Sequence, residues 1–162
     1  MTSMKKLLLV DDDDDVIECL ELILQDKYHV TVAQDGAVAV AKAQAEHFDA
    51  IVLDVMMPVL DGVGVVVALR EKGITVPVIL ASATSGLREL ARDLRVFDCL
   101  AKPFDFDALE RKISAAVCSG GGSPGGSASP SGSPSSKPGR SGSGEGALRR
   151  RATIGNVEAR VP

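Results

Sequence analysis

Apolar residues in the first part of the chain fall into two alternating patterns. Short unbroken apolar runs, such as residues 7–10 and 50–53, are typical of strands buried on both faces of a parallel sheet. Between these runs, apolar residues recur three or four positions apart, which is the spacing of an amphipathic helix. The pattern therefore predicts strands and helices in regular alternation.

Five strands and five helices are predicted in this way. The strands are expected at residues 5–10, 28–33, 50–53, 76–81 and 99–101. The helices are expected at residues 16–24, 37–46, 63–71, 87–94 and 107–117. Because crossovers of this kind join parallel strands, the predicted fold class is α/β, a doubly wound five-stranded parallel sheet flanked by five helices.

The composition changes sharply after Cys118, which limits this domain to residues 4–118. Of the 29 residues in the segment 119–147, 24 are Gly, Ser or Pro. Such a mixture cannot bury enough apolar surface to offset the entropy of ordering it, so we expect a disordered linker. Residues 148–162 then form a short basic tail.

The two parts of the chain carry opposite net charge. Residues 1–118 contain 12 Lys or Arg against 20 Asp or Glu, whereas residues 119–162 contain 6 against 2. An acidic domain argues against nucleic acid as a direct partner.

Neither disulfides, zinc nor a membrane anchor is indicated. The three cysteines are odd in number, widely spaced and outside any Cys-x-x-Cys pattern. The apolar run at residues 7–10 is too short for a signal peptide, and no run approaches the length of a membrane span. We therefore expect a cytoplasmic protein without membrane insertion.

Polar side chains follow four of the five predicted strands. Asp11 and Asp12 come after the first strand, Asp54 after the third, Ser82 after the fourth and Lys102 after the fifth. Ligands of open α/β sheets bind beyond the carboxyl ends of the strands, so these side chains are expected to share one crevice.

A simpler interpretation is that the aspartates serve the helices that follow them. It suits residues 13–15, because carboxylates stabilise a helix N-terminus. It suits Asp54 less well, because Pro58 and the pair Asp61-Gly62 already supply the turn.

Three carboxylates in one crevice would repel each other unless a cation lay between them. All-oxygen, carboxylate-rich sites suit Mg²⁺, which keeps several waters and takes one or two protein carboxylates, so a divalent hard metal is expected there. A carboxylate beside a metal, an ammonium and a hydroxyl is equipped to accept a phosphoryl group as an acyl phosphate.

Four motifs together resemble the response-regulator receiver domain of two-component signalling, which has a flavodoxin-like fold. They are Leu-Leu-Val-Asp-Asp-Asp at 8–13, Leu-Asp-Val-Met-Met-Pro-Val-Leu-Asp-Gly at 53–62, Ser-Ala at 82–83 and Lys-Pro-Phe at 102–104. Each motif alone is weak, but all four occur in the right order at nearly the right separations.

The resemblance implies that Asp54 is the phosphoacceptor and that Lys102 and Ser82 contact the phosphoryl group. It implies a histidine kinase or a phosphotransfer protein as donor, and no catalysis beyond Mg²⁺-dependent self-phosphorylation and slow self-dephosphorylation. The implied Mg²⁺ ligands are Asp11, Asp12, Asp54 and the backbone carbonyl of Met56.

Two departures from the family pattern concern the steps after phosphorylation. Cys99 lies where the family usually has an aromatic residue that swings inward with the hydroxyl. Either this part of the mechanism is absent, or Phe97, displaced by two residues, partly substitutes; we favour the first. The segment from Ser82 to Lys102 is about two residues shorter than usual, and Arg95 and its neighbours replace the customary glycine. We therefore expect a short or repositioned fourth helix and an unusual choice of partner.

No output domain is recognisable after the linker, which predicts a stand-alone receiver that acts by altered protein–protein binding. A phosphorylation-dependent dimer is compatible with the resemblance. The alternative is a receiver-like scaffold that does not depend on phosphorylation. A hydrolase is disfavoured, because Met56 stands where a second acidic residue would be needed. Thr153 lies just after the three arginines at 149–151 and resembles a Ser/Thr kinase target, although short patterns of this kind recur by chance and a solubilising basic tail is the interpretation we favour.

Overall fold

Five parallel strands form a single sheet in the computed structural model, which describes residues 3–120. The strands are β1 (Lys5–Val10), β2 (Tyr28–Ala33), β3 (Ala50–Asp54), β4 (Val78–Ser82) and β5 (Asp98–Ala101). Their order across the sheet is β2-β1-β3-β4-β5. The predicted fold class is confirmed, and the first and third strands are parallel neighbours in the sheet.

A helix follows each strand. The helices are α1 (Asp14–Leu24), α2 (Gly36–Ala45), α3 (Gly62–Glu71), α4 (Leu87–Asp93) and α5 (Phe106–Ser119). Aspartates begin four of them, because a carboxylate accepts hydrogen bonds from the otherwise unpaired N–H groups of the first turn. These N-cap residues are Asp13, Asp35, Asp61 and Asp105.

The core has two layers, one on each face of the sheet. Neighbouring residues of a strand point to opposite faces, so Leu8 and Leu53 pack under α2, α3 and α4. Leu7 and Val52 pack instead under α1 and α5. Burial on both faces explains why the central strands read as unbroken apolar runs.

Three strands differ from their predicted bounds, and each includes a polar residue that was expected outside it; β5 begins at Asp98, one residue earlier than predicted. The fourth strand was expected at residues 76–81, but Val76 and Pro77 precede it and Ser82 ends it. Proline has no N–H group to donate, and Pro77 contributes to the sheet only its carbonyl, which accepts from Ile51 N–H at 2.9 Å. Asp54 is likewise the last residue of β3.

The segment before β5 is compressed, as its length predicted. The helix α4 has only seven residues. Arg95 is one of the residues found where the resemblance leads us to expect a glycine, and it adopts φ +50°, a left-handed conformation that glycine adopts without strain. The arginine therefore holds a backbone conformation that is strained for a residue with a Cβ atom.

The last helix runs two residues beyond its predicted end at residue 117, so Ser119 belongs to α5 and not to the linker. The Ser119 hydroxyl donates to the Ala116 carbonyl at 2.7 Å, and Gly120 N–H donates to the same carbonyl at 3.1 Å. The rest of the predicted linker and the basic tail lie outside the described residues. Within residues 3–120, no helix has the length and hydrophobicity required to cross a membrane.

Candidate functional site

The carboxyl ends of four neighbouring strands bring the predicted site residues to one edge of the sheet. Asp11 follows β1, Asp54 ends β3 and Ser82 ends β4. Lys102 follows β5, and its backbone N–H donates to the Ser82 carbonyl at 2.9 Å. The backbone ladder therefore continues into the loops that carry the site.

The turn after β3 depends on a close approach of two backbone segments. Gly62 N–H donates to the Val55 carbonyl at 3.0 Å. A Cβ atom at Gly62 would lie 2.5 Å from the carbonyl oxygen of Asp54, a separation that no side chain can have from backbone. Glycine at this position therefore sets where the Asp54 backbone lies.

The aspartate run divides between the site and the first helix. Asp13 accepts hydrogen bonds from Asp15 N–H and Val16 N–H, at 3.0 and 3.3 Å, and caps α1. Asp11 is buried and accepts from Asp13 N–H at 3.1 Å, which orients its carboxylate. The prediction that residues 13–15 start the helix is confirmed, and the first two aspartates remain for the crevice.

Three carboxylates converge in this crevice. One oxygen from each of Asp11, Asp12 and Asp54 lies within 4.8 Å of the other two. Asp11 and Asp54 are buried, whereas Asp12 is exposed. This all-oxygen, carboxylate-rich set fits a hard divalent cation such as Mg²⁺.

Lys102 is the positive charge of the site. Its Nζ lies 2.6 Å from Asp11 Oδ2 and 3.4 Å from Asp54 Oδ1. Burial alone would lower the pKa of Lys102, but the hydrogen bond to Asp11 and the charges of Asp11 and Asp54 outweigh it and raise the pKa. Lys102 therefore stays an ammonium. The peptide bond between Lys102 and Pro103 is cis.

Asp54 is held between opposing influences. Burial raises the pKa of its carboxyl above the usual value, and the charge of Lys102 offsets part of that shift. The negative charge of Asp11 raises the pKa further, whereas a hydrogen bond from Met56 N–H lowers it. The carboxylate is thus poorly solvated, and the Lys102 ammonium favours its ionised form.

Ser82 is fully buried, and its hydroxyl is engaged by a residue that the sequence analysis did not single out. Ser82 Oγ lies 2.8 Å from Thr84 Oγ1 and accepts from Thr84 N–H at 3.2 Å. Ser and Thr side chains often form hydrogen bonds with backbone groups two residues away, and the spacing of Ser82 and Thr84 was visible in the sequence.

The remaining expectations at the site concern Met56 and the residues around the start of β5, and they stay predictions. Met56 exposes 66% of its surface, and its carbonyl as a metal ligand stays a prediction. Cys99 is half-buried in β5, and Phe97 exposes 40% of its surface. Phe97 thus lies partly in solvent near the strand whose aromatic residue is missing.

An apolar groove of about 500 Å³ lies beside the crevice, between α1 and the loop that leads from β5 to α5. Lys102 lines this groove as well as contacting the buried carboxylates. Its apolar walls come from both sides: Val16, Leu20, Pro103, Phe104 and Phe106. The sequence pattern gave no sign of it.

Known proteins resemble this chain over the same region. The response regulator receiver domain family matches residues 7–114. The transcriptional regulatory protein PrrA of Mycobacterium leprae is 43% identical over 116 residues, which cover 70% of this chain and 50% of PrrA. The chain therefore spans about half the length of the curated relatives it matches.

Solved structures agree with the fold. A Francisella response regulator receiver domain superposes with a TM-score of 0.67 at 30% identity, over 71% of this chain and 98% of that domain. The response regulator TrrA of Thermotoga maritima, solved in complex with Mg²⁺-BeF, gives 0.64 at 31% identity, over 70% and 99%. With its sheet order, its strand-end residues and these matches, the chain belongs to the response regulator receiver domain family.

Proposed function

We propose that this chain is a phosphoacceptor module of a two-component phosphorelay. It accepts a phosphoryl group on Asp54 from the phosphohistidine of a histidine kinase or phosphotransfer protein, and it passes the signal on by altered protein–protein binding. The observation that carries the proposal is the surroundings of Asp54, a buried carboxylate with Lys102 at 3.4 Å and two further carboxylates within 4.8 Å. A structural aspartate needs no such surroundings.

The transfer is a displacement at phosphorus. A carboxylate oxygen of Asp54 forms a bond to phosphorus while the P–N bond to the donor histidine breaks. The imidazole nitrogen keeps the electron pair of that bond, and the ring, protonated at its other nitrogen, leaves neutral. The product is an aspartyl phosphate.

The residues of the crevice contribute charge and position. The carboxylates of Asp11, Asp12 and Asp54, with the Met56 carbonyl, would hold Mg²⁺, which supplies positive charge to the phosphoryl oxygens when bound. Lys102 favours the ionised form of Asp54 that attack requires, and its ammonium is placed to meet the added negative charge. Ser82 has a hydroxyl proton to donate to the phosphoryl group.

The groove beside the crevice suits the protein that carries the phosphohistidine. Because Lys102 lines both, a partner seated on Phe104 and Phe106 would bring its histidine next to Asp54. Burial of these aromatic rings favours association. For Phe106→Ala, the rate of transfer from a protein donor should fall relative to the rate from a small phosphodonor.

Mass spectrometry of the intact protein tests the proposal. After incubation with Mg²⁺ and acetyl phosphate, the wild type should gain the mass of one phosphoryl group, and removal of Mg²⁺ should abolish the gain. The exposed Asp26 provides a matched control, because Asp26→Asn should behave as the wild type whereas Asp54→Asn should gain nothing. A wild type that gains no mass, or an Asp54→Asn variant that gains as much, contradicts the proposal.

A scaffold that binds its partners without phosphorylation is the second candidate, and Cys99 is the observation that favours it. A half-buried thiol offers no ring to couple the crevice to the surface of β5. Binding partners that associate equally with the phosphorylated wild type and with Asp54→Asn would support the scaffold.

Sedimentation of the phosphorylated and unmodified protein tests whether a dimer depends on the phosphoryl group.

A further inference from the structure

The hydroxyl of Ser82 forms hydrogen bonds with one residue. Within residues 3–120, both of its hydrogen-bond partners belong to Thr84, the hydroxyl at 2.8 Å and the N–H at 3.2 Å. Ser82 exposes none of its surface, whereas Thr84 is exposed. Thr84 therefore holds the buried hydroxyl from the solvent side of the crevice.

A serine hydroxyl has one proton and two acceptor lone pairs. The N–H of Thr84 occupies one lone pair, and the Thr84 hydroxyl takes either the proton or the other lone pair. In both cases the two bonds to Thr84 fix the direction in which Ser82 Oγ points. A phosphoryl group on Asp54 needs the proton of Ser82 and a direction that suits its own oxygens.

We propose that Thr84 is a positioning residue that holds the Ser82 hydroxyl in its resting orientation and releases it when a phosphoryl group occupies Asp54. This inference rests on the proposed function. Release costs little on the side of Thr84, because Thr84 is an exposed residue and water can replace Ser82 as the partner of its hydroxyl. The half-buried Cys99 brings no aromatic ring to assist, so the bond to Thr84 is what the phosphoryl group competes with.

The expected size of the effect follows from the bond that is removed. Thr84→Val keeps the shape and the N–H bond but loses the hydroxyl, so the resting orientation is weakened and the phosphoryl-bound one is favoured. One neutral hydrogen bond between side chains changes such an equilibrium by about 2- to 10-fold. Thr84→Ser keeps the hydroxyl and should behave as the wild type.

The affinity of the full chain for beryllofluoride at saturating Mg²⁺, measured by calorimetry, tests this role because beryllofluoride mimics a phosphoryl group on the carboxylate. Thr84→Val should bind it about 2- to 10-fold more tightly than the wild type, and Thr84→Ser should match the wild type. In a Ser82→Ala background, adding Thr84→Val should change nothing, because the hydroxyl that Thr84 holds is gone.

Three results would overturn the role of Thr84: equal or weaker binding by Thr84→Val, failure of Thr84→Ser to match the wild type, or an effect of Thr84→Val that persists without Ser82. These results differ from failure of the proposed function. A wild type that binds no beryllofluoride and takes up no phosphoryl group refutes the proposed function and the inference together. If the wild type binds beryllofluoride and takes up a phosphoryl group, but Thr84→Val has the same affinity as the wild type, only the inference is refuted.

Discussion

Lys102→Met should destabilise the domain, because it leaves two buried carboxylates without their counter-ion. Methionine retains the length and the apolar stem of the side chain but removes the ammonium, which lies 2.6 Å from Asp11 and 3.4 Å from Asp54. Removing one partner of a fully buried ion pair costs about 3–5 kcal/mol. The Lys102 side chain exposes 23% of its surface, so solvent offsets part of that cost and we expect about 2–3 kcal/mol.

Urea denaturation of the metal-free protein measures this loss of unfolding free energy. The melting temperature of Lys102→Met should be about 10 °C lower than that of the wild type for a domain of this size. Adding Mg²⁺ should recover more stability in Lys102→Met than in the wild type, because the ion binds the native carboxylates and replaces the missing charge. Asp12→Asn is the matched control: it removes an exposed like charge, so the melting temperature should rise slightly and the unfolding free energy should increase by no more than about 1 kcal/mol. A loss below about 0.5 kcal/mol in Lys102→Met would refute the idea that this ammonium neutralises the crevice.

Three further substitutions test other parts of the account. Arg95→Gly should raise the unfolding free energy by about 0.5–1 kcal/mol, because glycine relieves the left-handed strain; unchanged stability in urea would contradict this. Asp49→Asn should lower it by about 1 kcal/mol at neutral pH. Burial would raise the pKa of Asp49, but hydrogen bonds from Lys6 N–H and the Lys5 ammonium lower it. The difference from the wild type should therefore begin to shrink as the pH falls below about 4, and a difference as large at pH 3 as at neutral pH would count against the pairing. Gly62→Ala should cost more than about 2 kcal/mol and reduce labelling by acetyl phosphate, since its Cβ would meet the Asp54 backbone; normal labelling would show that the turn can relax.

Much of the site could be predicted because its signals are local in sequence. A strand buried on both faces leaves an unbroken apolar run, and the residue that ends the run lies at the edge of the sheet where ligands bind. Asp11, Asp54, Ser82 and Lys102 were located in this way, and the structure brings them to neighbouring strand ends. The alternation of strands and helices was enough to predict a parallel sheet. The shortened segment before the last strand predicted that α4 would be short.

The features that sequence did not reveal depend on contacts between distant segments. The groove requires α1 and the loop after β5 to lie side by side, and no pattern within either segment encodes that distance. Whether Lys102 pairs with Asp11 or Asp54 is decided by differences of less than 1 Å in the packed crevice. The hydrogen bond between Thr84 and Ser82 could be suspected from the spacing of the two hydroxyl residues in the sequence. It matters because Ser82 is fully buried, which only the structure shows.

The central claim is that one carboxylate of this chain receives the phosphoryl group, and its location is the most direct test. Protein labelled with acetyl phosphate and Mg²⁺ is reduced with borohydride, which converts an aspartyl phosphate to homoserine, and the peptides are sequenced by mass spectrometry. Conversion at Asp54 alone is the predicted result. Conversion at Asp11 or Asp12, or no conversion in a protein that has gained a phosphoryl group, would contradict the account.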